Sequence, residues 1–492
     1  LNGLSFVKAY GLANPERFNE KFIRMKEDDI NNVLEYIDDV CFSMENIDGV
    51  TYLGSSIEKD ESKLLTERKS QEVSISRQSR INIKFKIESR DERLKKDNME
   101  VLDIPIYIPK LIDGYYFTFN GNNYFPIYQL VDKSTYVIGY GDNRKLALKT
   151  LLMPIVLIQN KKEYLFENEE NELAITGRMY QISLFGRSPN FLYYYFAKFG
   201  LEGTIEYFGL ADSISIVNVK EGTPEYDKFQ KANLVYSLSA TLHIGLNYEN
   251  FPETEMADDF IVSIIDLFEN EKFRFSASSK SYWEKKFGAM FTKNMNNQAE
   301  KAQKLLISFE RILDSRTKKV IEFPDEYKED IYGTVFWMLS NFSKLVAKDN
   351  IDLKNKRLRL VEYIIYPLVS RFSTNTYRNF NDKSKTTFKK LKSLFRIKPG
   401  ILIKGIITNE LLRYDNAVNG SDLFTAGLRV SQKGPQSIIS NKSEPPVKYR
   451  DIHPSYIGTV SLTHSSASEP GMNMCFTPFT ETDGMEFFND RD

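Results

Sequence analysis

Apolar residues recur at helical spacing early in the chain, at Phe18, Phe22 and Met25 and then at Ile30, Val33, Leu34 and Ile37. Asn14 as a cap, with Pro15 in the first helical position where no N–H is needed, predicts that the helical region starts there. From Val50 the period shortens toward two. Residues 81–87 (Ile-Asn-Ile-Lys-Phe-Lys-Ile) alternate cleanly and predict a half-buried strand. Residues 115–129 are aromatic and β-branched around Asn120-Gly121, which predicts a hairpin. Residues 189–208 predict two short helices. Helical spacing returns over 257–268, 298–313, 326–347, 358–372 and 386–395, and after Pro399 the chain turns rich in Gly, Ser, Pro and Asn. Strands and helices come in blocks rather than alternating, so the predicted class is α+β, with room in 492 residues for about three domains.

The net charge of −1, from 66 basic and 67 acidic residues, excludes a uniformly basic nucleic-acid coat. Its distribution changes the picture. Residues 354–359 (KNKRLR) hold four basic residues in six, and 383–398 hold seven with no acid. In the second segment Phe388, Leu391 and Phe395 fall on one helical face, leaving Lys389, Lys390 and Lys392 outside. Such a helix is either simply solvated or a wall facing phosphates, where each cation releases a counterion on binding. The acidic run 167–172 reads as a solvated loop.

Candidate chemistry is mostly negative. Two cysteines, Cys41 and Cys475, exclude a disulfide framework or a Cys-rich zinc site and suit a reducing compartment. Three histidines make a His-rich metal centre a poor expectation. There is no Walker loop, no HExxH and no GxSxG. Gly139-Tyr-Gly141 reads as a turn, Asp258-Asp259 as surface charge, and His243 as a satisfied core or strand histidine. No apolar run reaches membrane-spanning length, and residues 1–10 lack the pattern of a signal peptide. No complete active site is visible.

The C-terminal hundred residues are more specific. Tyr449-Arg-Asp-Ile-His-Pro-Ser-Tyr-Ile-Gly458 resembles the R-[DE]-V-H-P-[ST]-H-Y-G stretch of the β subunit of multisubunit RNA polymerases, and Glu469-Pro-Gly471-Met-Asn473 resembles the EGPN element that follows it. Residues 411–438 lie without gaps on that family's rifampicin-pocket and fork segment, with Asn419, Thr425, Arg429, Ser431, Gly434 and Pro435 in register. Asp352 to Val361 resembles D-H-L-G-N-R-R-[IV]-R-x-V, one residue shorter. Weaker matches to the lobe (from Gly186-Arg-Ser-Pro189 to Gly209) and to the protrusion (114–134, with Asn120-Gly121 and Gln129-Leu130) fall in the right order. The resemblance spans roughly residues 80–480.

The resemblance implies a protrusion, lobe and fork architecture: 1–140 the first part of the protrusion with N-terminal helices, 141–345 the lobe, 346–405 the second part of the protrusion, and 406–492 the fork and RNA-proximal loops. It implies the N-terminal half of a split β subunit, as in giant-bacteriophage polymerases. That half would form part of a DNA/RNA channel without being catalytic alone. Magnesium would be held by a β′ counterpart, since no DFDGD-like motif occurs here. Expected partners are the C-terminal half of β, a β′ counterpart in one or two chains, DNA template, RNA product and a promoter-specificity factor, with no membrane. The expected setting is the cytoplasm of the infected cell, or the virion if the enzyme is packaged.

By the same resemblance Asp352, Lys356, Arg357 and Arg359 form a pocket for non-template DNA, an acid reading a base edge while cations hold phosphates. Lys356 stands where the family has Arg and offers a point charge instead of a fork. Arg429 binds phosphate, braces the fork, or makes an internal salt bridge. Ser431 lies beside it. Gly434-Pro435 suit a tight loop between strands, or a plain turn. His453, Glu469 and Asn473 organise the loop nearest the RNA, by structural hydrogen bonds or by direct contact. Departures are also present: Asn416 and Ala426 replace the family's Asp and His, Tyr456, Ile457 and Thr459 alter the HPxHYG stretch, and Leu462-Thr-His464 replaces Pro-Ile-Glu. The alternative is a non-catalytic phage DNA-binding protein that reuses a β-like fold.

Overall fold

The computed structural model describes residues 19–47, 49–58, 78–91, 96–112, 116–119, 121–139, 141–168, 171–184, 186–247, 249–271, 279–293, 295–321, 324, 326–381, 387–414, 425–437, 445, 447–466, 469–477, 480, 482–483 and 485–487. The expected cap at Asn14-Pro15 lies outside them, as do Asn416 and Asn419. The chain divides into two compact units, Leu1–Lys133 with Asp349–Asp492, and the inserted Ser134–Lys348.

In the first unit, the alternation at 81–87 becomes the middle of a three-stranded antiparallel sheet formed by Val50–Ile57, Gln78–Asp91 and Lys96–Pro109. Ile81, Ile83, Phe85 and Ile87 are fully buried, as period two requires of one face. Phe85 packs 4.6 Å from Phe395 and 6.0 Å from Phe372, ring centre to ring centre. The basic segment's apolar stripe is thereby used: Phe388–Leu394 is a helix whose Leu391 is buried and whose Lys389 and Lys392 are exposed. The expected hairpin is present as Phe117–Phe119 against Asn122–Pro126, with Gly121 at φ +80°.

A second sheet carries most of what matters below. Its six strands run in the order Asn473–Cys475, Arg429–Ser431, Tyr128–Asp132, Lys356–Arg359, Glu486–Phe487 and Thr482–Asp483. Arg429–Ser431 runs parallel to Tyr128–Asp132, and the other neighbours are antiparallel. All five residues of Tyr128–Asp132 are buried, as expected of a strand covered on both faces. The helix expected over 358–372 is corrected here. Lys356–Arg359 is a strand, and helices Val361–Ile364 and Tyr366–Asn381 follow it. The spacing of Leu358, Val361 and Ile365 suited a helix, but pairing with Tyr128–Asp132 captures the first residues. The loop expected after Pro399 likewise begins with a short helix, Ile401–Ile407.

The second unit contains a seven-stranded sheet dominated by the long hairpin Ile155–Glu167 with Glu172–Ser183, in which Glu167 and Glu172, the ends of the acidic run, are paired strand residues. Helices pack an aromatic core in which Tyr194 lies 4.5 Å from Phe309 and Phe196 lies 4.7 Å from the fully buried Trp283. The two short helices expected over 189–208 are present within Leu192–Tyr207, separated at Gly200, whose φ of +81° a side chain would resist. His243 is fully buried in a strand, bonded to Ser237 Oγ (2.8 Å) and Val219 O (3.0 Å).

Asp258-Asp259 is not a surface pair. Asp259 is buried, accepting the Tyr180 hydroxyl at 2.7 Å and the Arg178 backbone N–H at 2.6 Å. Burial pushes its pKa up to about 6, against the opposing pull of those hydrogen bonds and the Arg178 guanidinium. A carboxyl raised in this way keeps its proton in the folded state after the unfolded chain has released it. Its contribution to stability therefore falls as pH rises through that window. Asp259→Asn removes the titration. The stability difference between wild type and Asp259→Asn should move by about 2 kcal/mol in favour of Asn between about pH 4 and pH 7. Urea unfolding at several pH values checks this, and a pH-independent difference contradicts it.

Candidate nucleic-acid interface

Four separate sequence segments meet on the six-stranded sheet, and buried polar groups join them. Gln129 is the hub. Its Nε2 donates to the carbonyls of Lys433 (2.9 Å) and Pro435 (3.0 Å), and its Oε1 accepts from Arg359 Nε at 2.6 Å. Arg359 also bonds Pro435 O and, at 3.0 Å, Gln436 Oε1. The tip between the Arg429–Ser431 strand and the following loop is thus clamped by one amide and one guanidinium. Gly434 has a φ of +106°, and a Cβ there would lie 2.7 Å from Leu411 Cδ1, so both the backbone and the space call for glycine.

The cations of 354–359 have internal partners. Lys356 is buried and donates to Asp132 (2.8 Å) and Gln432 Oε1 (3.2 Å). Arg357 forms a two-pronged pair with Glu362 at 2.7 and 2.9 Å. Arg359 lies 3.6 Å from the same carboxylate and is 2% exposed. Burial brings its pKa down to about 10, with Glu362 opposing. In this arrangement the three charges face inward, and Arg359 supports the loop 433–436. The physical reason is that Asp132, Glu362 and Gln129 supply the acceptors that make burial of three cations tolerable. Asp352 stays near the surface and accepts the Lys354 N–H at 3.1 Å at the start of a 3-10 turn.

The RNA-proximal residues expected from sequence lie against the same sheet. Ser431 Oγ bonds Asn473 Oδ1 at 2.8 Å across the Arg429–Ser431 and Asn473–Cys475 pair. Lys433 Nζ pairs with Glu469 at 3.0 Å. Gln432 Nε2 donates to Gly471 O at 2.6 Å. A Cβ on Gly471 would come within 2.5 Å of the carbonyls of Tyr449 and Asp451, which explains the small residue at this crossing. His453 caps the turn Pro454–Tyr456, its Nδ1 accepting the Ser455 N–H at 3.2 Å, and its Nε2 lies 3.4 Å from Asp349. Burial pushes the Asp349 pKa up, but the Ile351 N–H, Lys448 and His453 together outweigh it and hold the carboxyl below its usual range. Ser455 Oγ accepts the Leu353 N–H at 3.1 Å, tying the His453 segment to the Asp352 segment.

Outward charge is supplied elsewhere. Arg429 is exposed, with no carboxylate among the described residues paired to it. On the basic helix Lys389 is exposed, Lys390 is half-buried, and Lys392 reaches Glu100 at 2.6 Å. The segments around Asp352, Arg429 and His453 are therefore joined to one framework.

The sequence profile described as non-virion RNA polymerase subunit matches residues 10–490. The chain belongs to the non-virion RNA polymerase subunit family. No curated protein matches it. As an RNA polymerase subunit of this family it works with other polymerase subunits, in a transcription enzyme that operates in the infected cell. Among the described residues no group of three or more His, Cys, Asp or Glu could hold a metal ion, and no helix is long and apolar enough to cross a membrane.

Sequence reasoning about this polymerase subunit did not single out Gln129, Asp132, Glu362 or Gln432 as site residues. Gln129 belongs to a matched motif, but only the fold reveals that its amide serves three partners. Asp132 lies 224 residues from Lys356, and no local pattern announces that pair.

Proposed function

We propose that this subunit is the N-terminal part of a split β subunit of a DNA-directed RNA polymerase of giant-bacteriophage type. It forms one wall of the DNA/RNA channel and the fork. In this reading Ser134–Lys348 is the lobe, and the remainder supplies the protrusion and fork. The observation that carries the proposal is the convergence of collinear β-like segments, at Gln129, Arg359, Arg429–Ser431 and Asn473, on one sheet within one unit. Its partners are the C-terminal part of β, a β′ counterpart that holds the catalytic magnesium, the DNA and RNA strands, and a promoter-specificity factor. The family's non-virion description favours expression in the infected cell over packaging.

The chemistry of such a subunit is positioning and charge neutralisation, since two-metal phosphoryl transfer depends on held phosphates and excluded alternatives. Arg429, Lys389, Lys390 and Lys392 face the nucleic acid, and Asp352 meets the non-template strand. Lys356, Arg357 and Arg359 hold the surface in shape from below. Ser431, Gly434, Pro435, His453, Glu469 and Asn473 fix the loops. Replacing Lys389, Lys390 and Lys392 with Ala should flatten the salt dependence of DNA retention, the log–log slope losing about 0.9 for each phosphate contact removed. Filter retention across a salt series reads the slope, and an unchanged value returns the helix to a solvated face.

A further inference from the structure

Two side chains one turn apart on the helix Asn19–Asn31 are buried, Lys26 at 2% and Asp29 at 8% exposed. Lys26 Nζ donates to the carbonyl of Pro126 at 3.1 Å and lies 5.2 Å from the ring centre of Tyr128. Asp29 Oδ2 accepts the Val361 backbone N–H at 3.0 Å, and its Oδ1 accepts the Tyr36 hydroxyl at 2.7 Å. An apolar residue at either position would cover the core at lower cost, since burying an ionisable group is expensive. What a lysine and an aspartate add is direction, because each holds one particular backbone group.

Those two backbone groups lie just past the ends of one strand pair. Gln129 sits opposite Arg359, the last pair between Tyr128–Asp132 and Lys356–Arg359. Pro126 precedes Gln129 by three residues. Val361 follows Arg359 by two, at the start of the helix Val361–Ile364, where an N–H has no partner within the helix. Lys26 thus holds one segment and Asp29 the other. Tyr363 adds a direct tie between them, its hydroxyl donating to Ile127 O at 2.8 Å. Gln129 and Arg359 are also the two side chains that grip loop 433–436. Spreading of the two segments would draw that amide and guanidinium apart and break their 2.6 Å bond.

We infer that the helix Asn19–Asn31 is a bracket that fixes the shape of loop 433–436 through this strand pair, with Lys26 and Asp29 as its positioning residues. The bonds that make the bracket span 100 and 332 residues of sequence, so the N-terminal helix and the distant loop form one conformational unit. The control of loop shape stands on the geometry alone. Its effect on RNA extension rests on the proposed function.

Hydrogen exchange of the full chain, read peptide by peptide, tests the bracket. Asp29→Ala leaves the Val361 N–H without its acceptor and should speed exchange at 431–436 about tenfold, the loss expected for one buried group left unpaired. Lys26→Met should act in the same direction. Asp29→Asn keeps an oxygen for the Val361 N–H and turns its amide toward the Tyr36 hydroxyl, which can accept, so it should stay near wild type. Peptides from 81–87 and 192–207 should be unchanged in all three variants. Faster exchange confined to 19–31, with wild-type protection at 431–436, would mean that the helix only packs there and overturns the bracket. If Asp29→Ala also exposes 81–87, the test passes to Tyr363→Phe, which removes a single hydroxyl. Exchange at 431–436 should then be a few-fold faster, and wild-type protection there contradicts the bracket. In the assembled polymerase, RNA extension should fall in Asp29→Ala and recover in Asp29→Asn. A loosened loop with undiminished extension supports the bracket and counts against the fork role in the proposed function.

Discussion

Replacing Glu362 with Gln should destabilise the first unit by about 3–5 kcal/mol, the cost of breaking a buried ion pair from one side. Glu362 is 5% exposed and serves both Arg357, through two bonds, and Arg359 at 3.6 Å. Gln keeps the shape but removes the charge that compensates two guanidinium groups which cannot deprotonate near neutral pH. Because the chain has two units, a single global unfolding curve is the wrong readout. Hydrogen exchange of peptides covering 356–362 isolates the effect. Their opening free energy should fall by the stated amount, while peptides from 192–207 stay unchanged. The double variant Arg357→Met with Glu362→Leu should recover part of the loss, since an apolar pair can replace a buried ionic one. A loss below about 1 kcal/mol for Glu362→Gln would mean that water reaches the site and that the pair is not desolvated.

Replacing Gln129 with Leu is the second large effect. Leu fills similar space but leaves the carbonyl of Lys433 and the Nε–H of Arg359 without their partner, and leaves the Pro435 carbonyl with Arg359 alone. Each buried group left unpaired costs about 1–3 kcal/mol, more when charged, and the two share one hub and do not simply add. A net loss of about 3 kcal/mol is expected. In the proposed function the consequence reaches activity, because the loop 433–436 takes its shape from this side chain. Exchange protection at 431–436 should collapse in Gln129→Leu, and RNA extension by the assembled enzyme should fall even where assembly is intact. Gln129→Glu is the informative companion. It can still accept from Arg359 but cannot donate to either carbonyl, so it should lose loop protection while retaining more stability than Leu. Full protection of the loop in Gln129→Leu would contradict the hub.

Local patterns were legible where the physics is local. Period-two alternation at 81–87 predicted a strand with one buried face, the Asn120-Gly121 signal predicted a hairpin, and the spacing of Phe388, Leu391 and Phe395 predicted which side of the basic helix packs inward. His243 in an apolar stretch is a satisfied strand histidine. What was not legible depends on distant partners. The run KNKRLR looks like a solvated basic surface because most such runs are. Here Asp132, from a strand far upstream, and Glu362, a few residues downstream, turn its last four residues into a buried strand. Asp259 has the same character, an acid on a helix that becomes internal only because Tyr180 and Arg178 of the neighbouring hairpin bond it. Charge in a sequence marks where a polar network will form, but its direction, inward or outward, is decided by pairings that sequence separation conceals. The family resemblance helped because it brought Gln129, Arg359, Arg429 and Asn473 into consideration together, and the sheet order joins those same residues.

The central claim is that this chain is a wall of a polymerase whose bond-making groups reside in other chains. The most direct measurement is purification of the tagged chain from infected cells, with identification of what co-elutes and assay of RNA extension on a primed DNA template. The account predicts stoichiometric co-elution with chains carrying the rest of β and a β′-type magnesium motif, extension by that complex, and none by the isolated chain. A solitary chain that binds DNA in a salt-sensitive manner without polymerase partners, or one that extends RNA unaided, would contradict it.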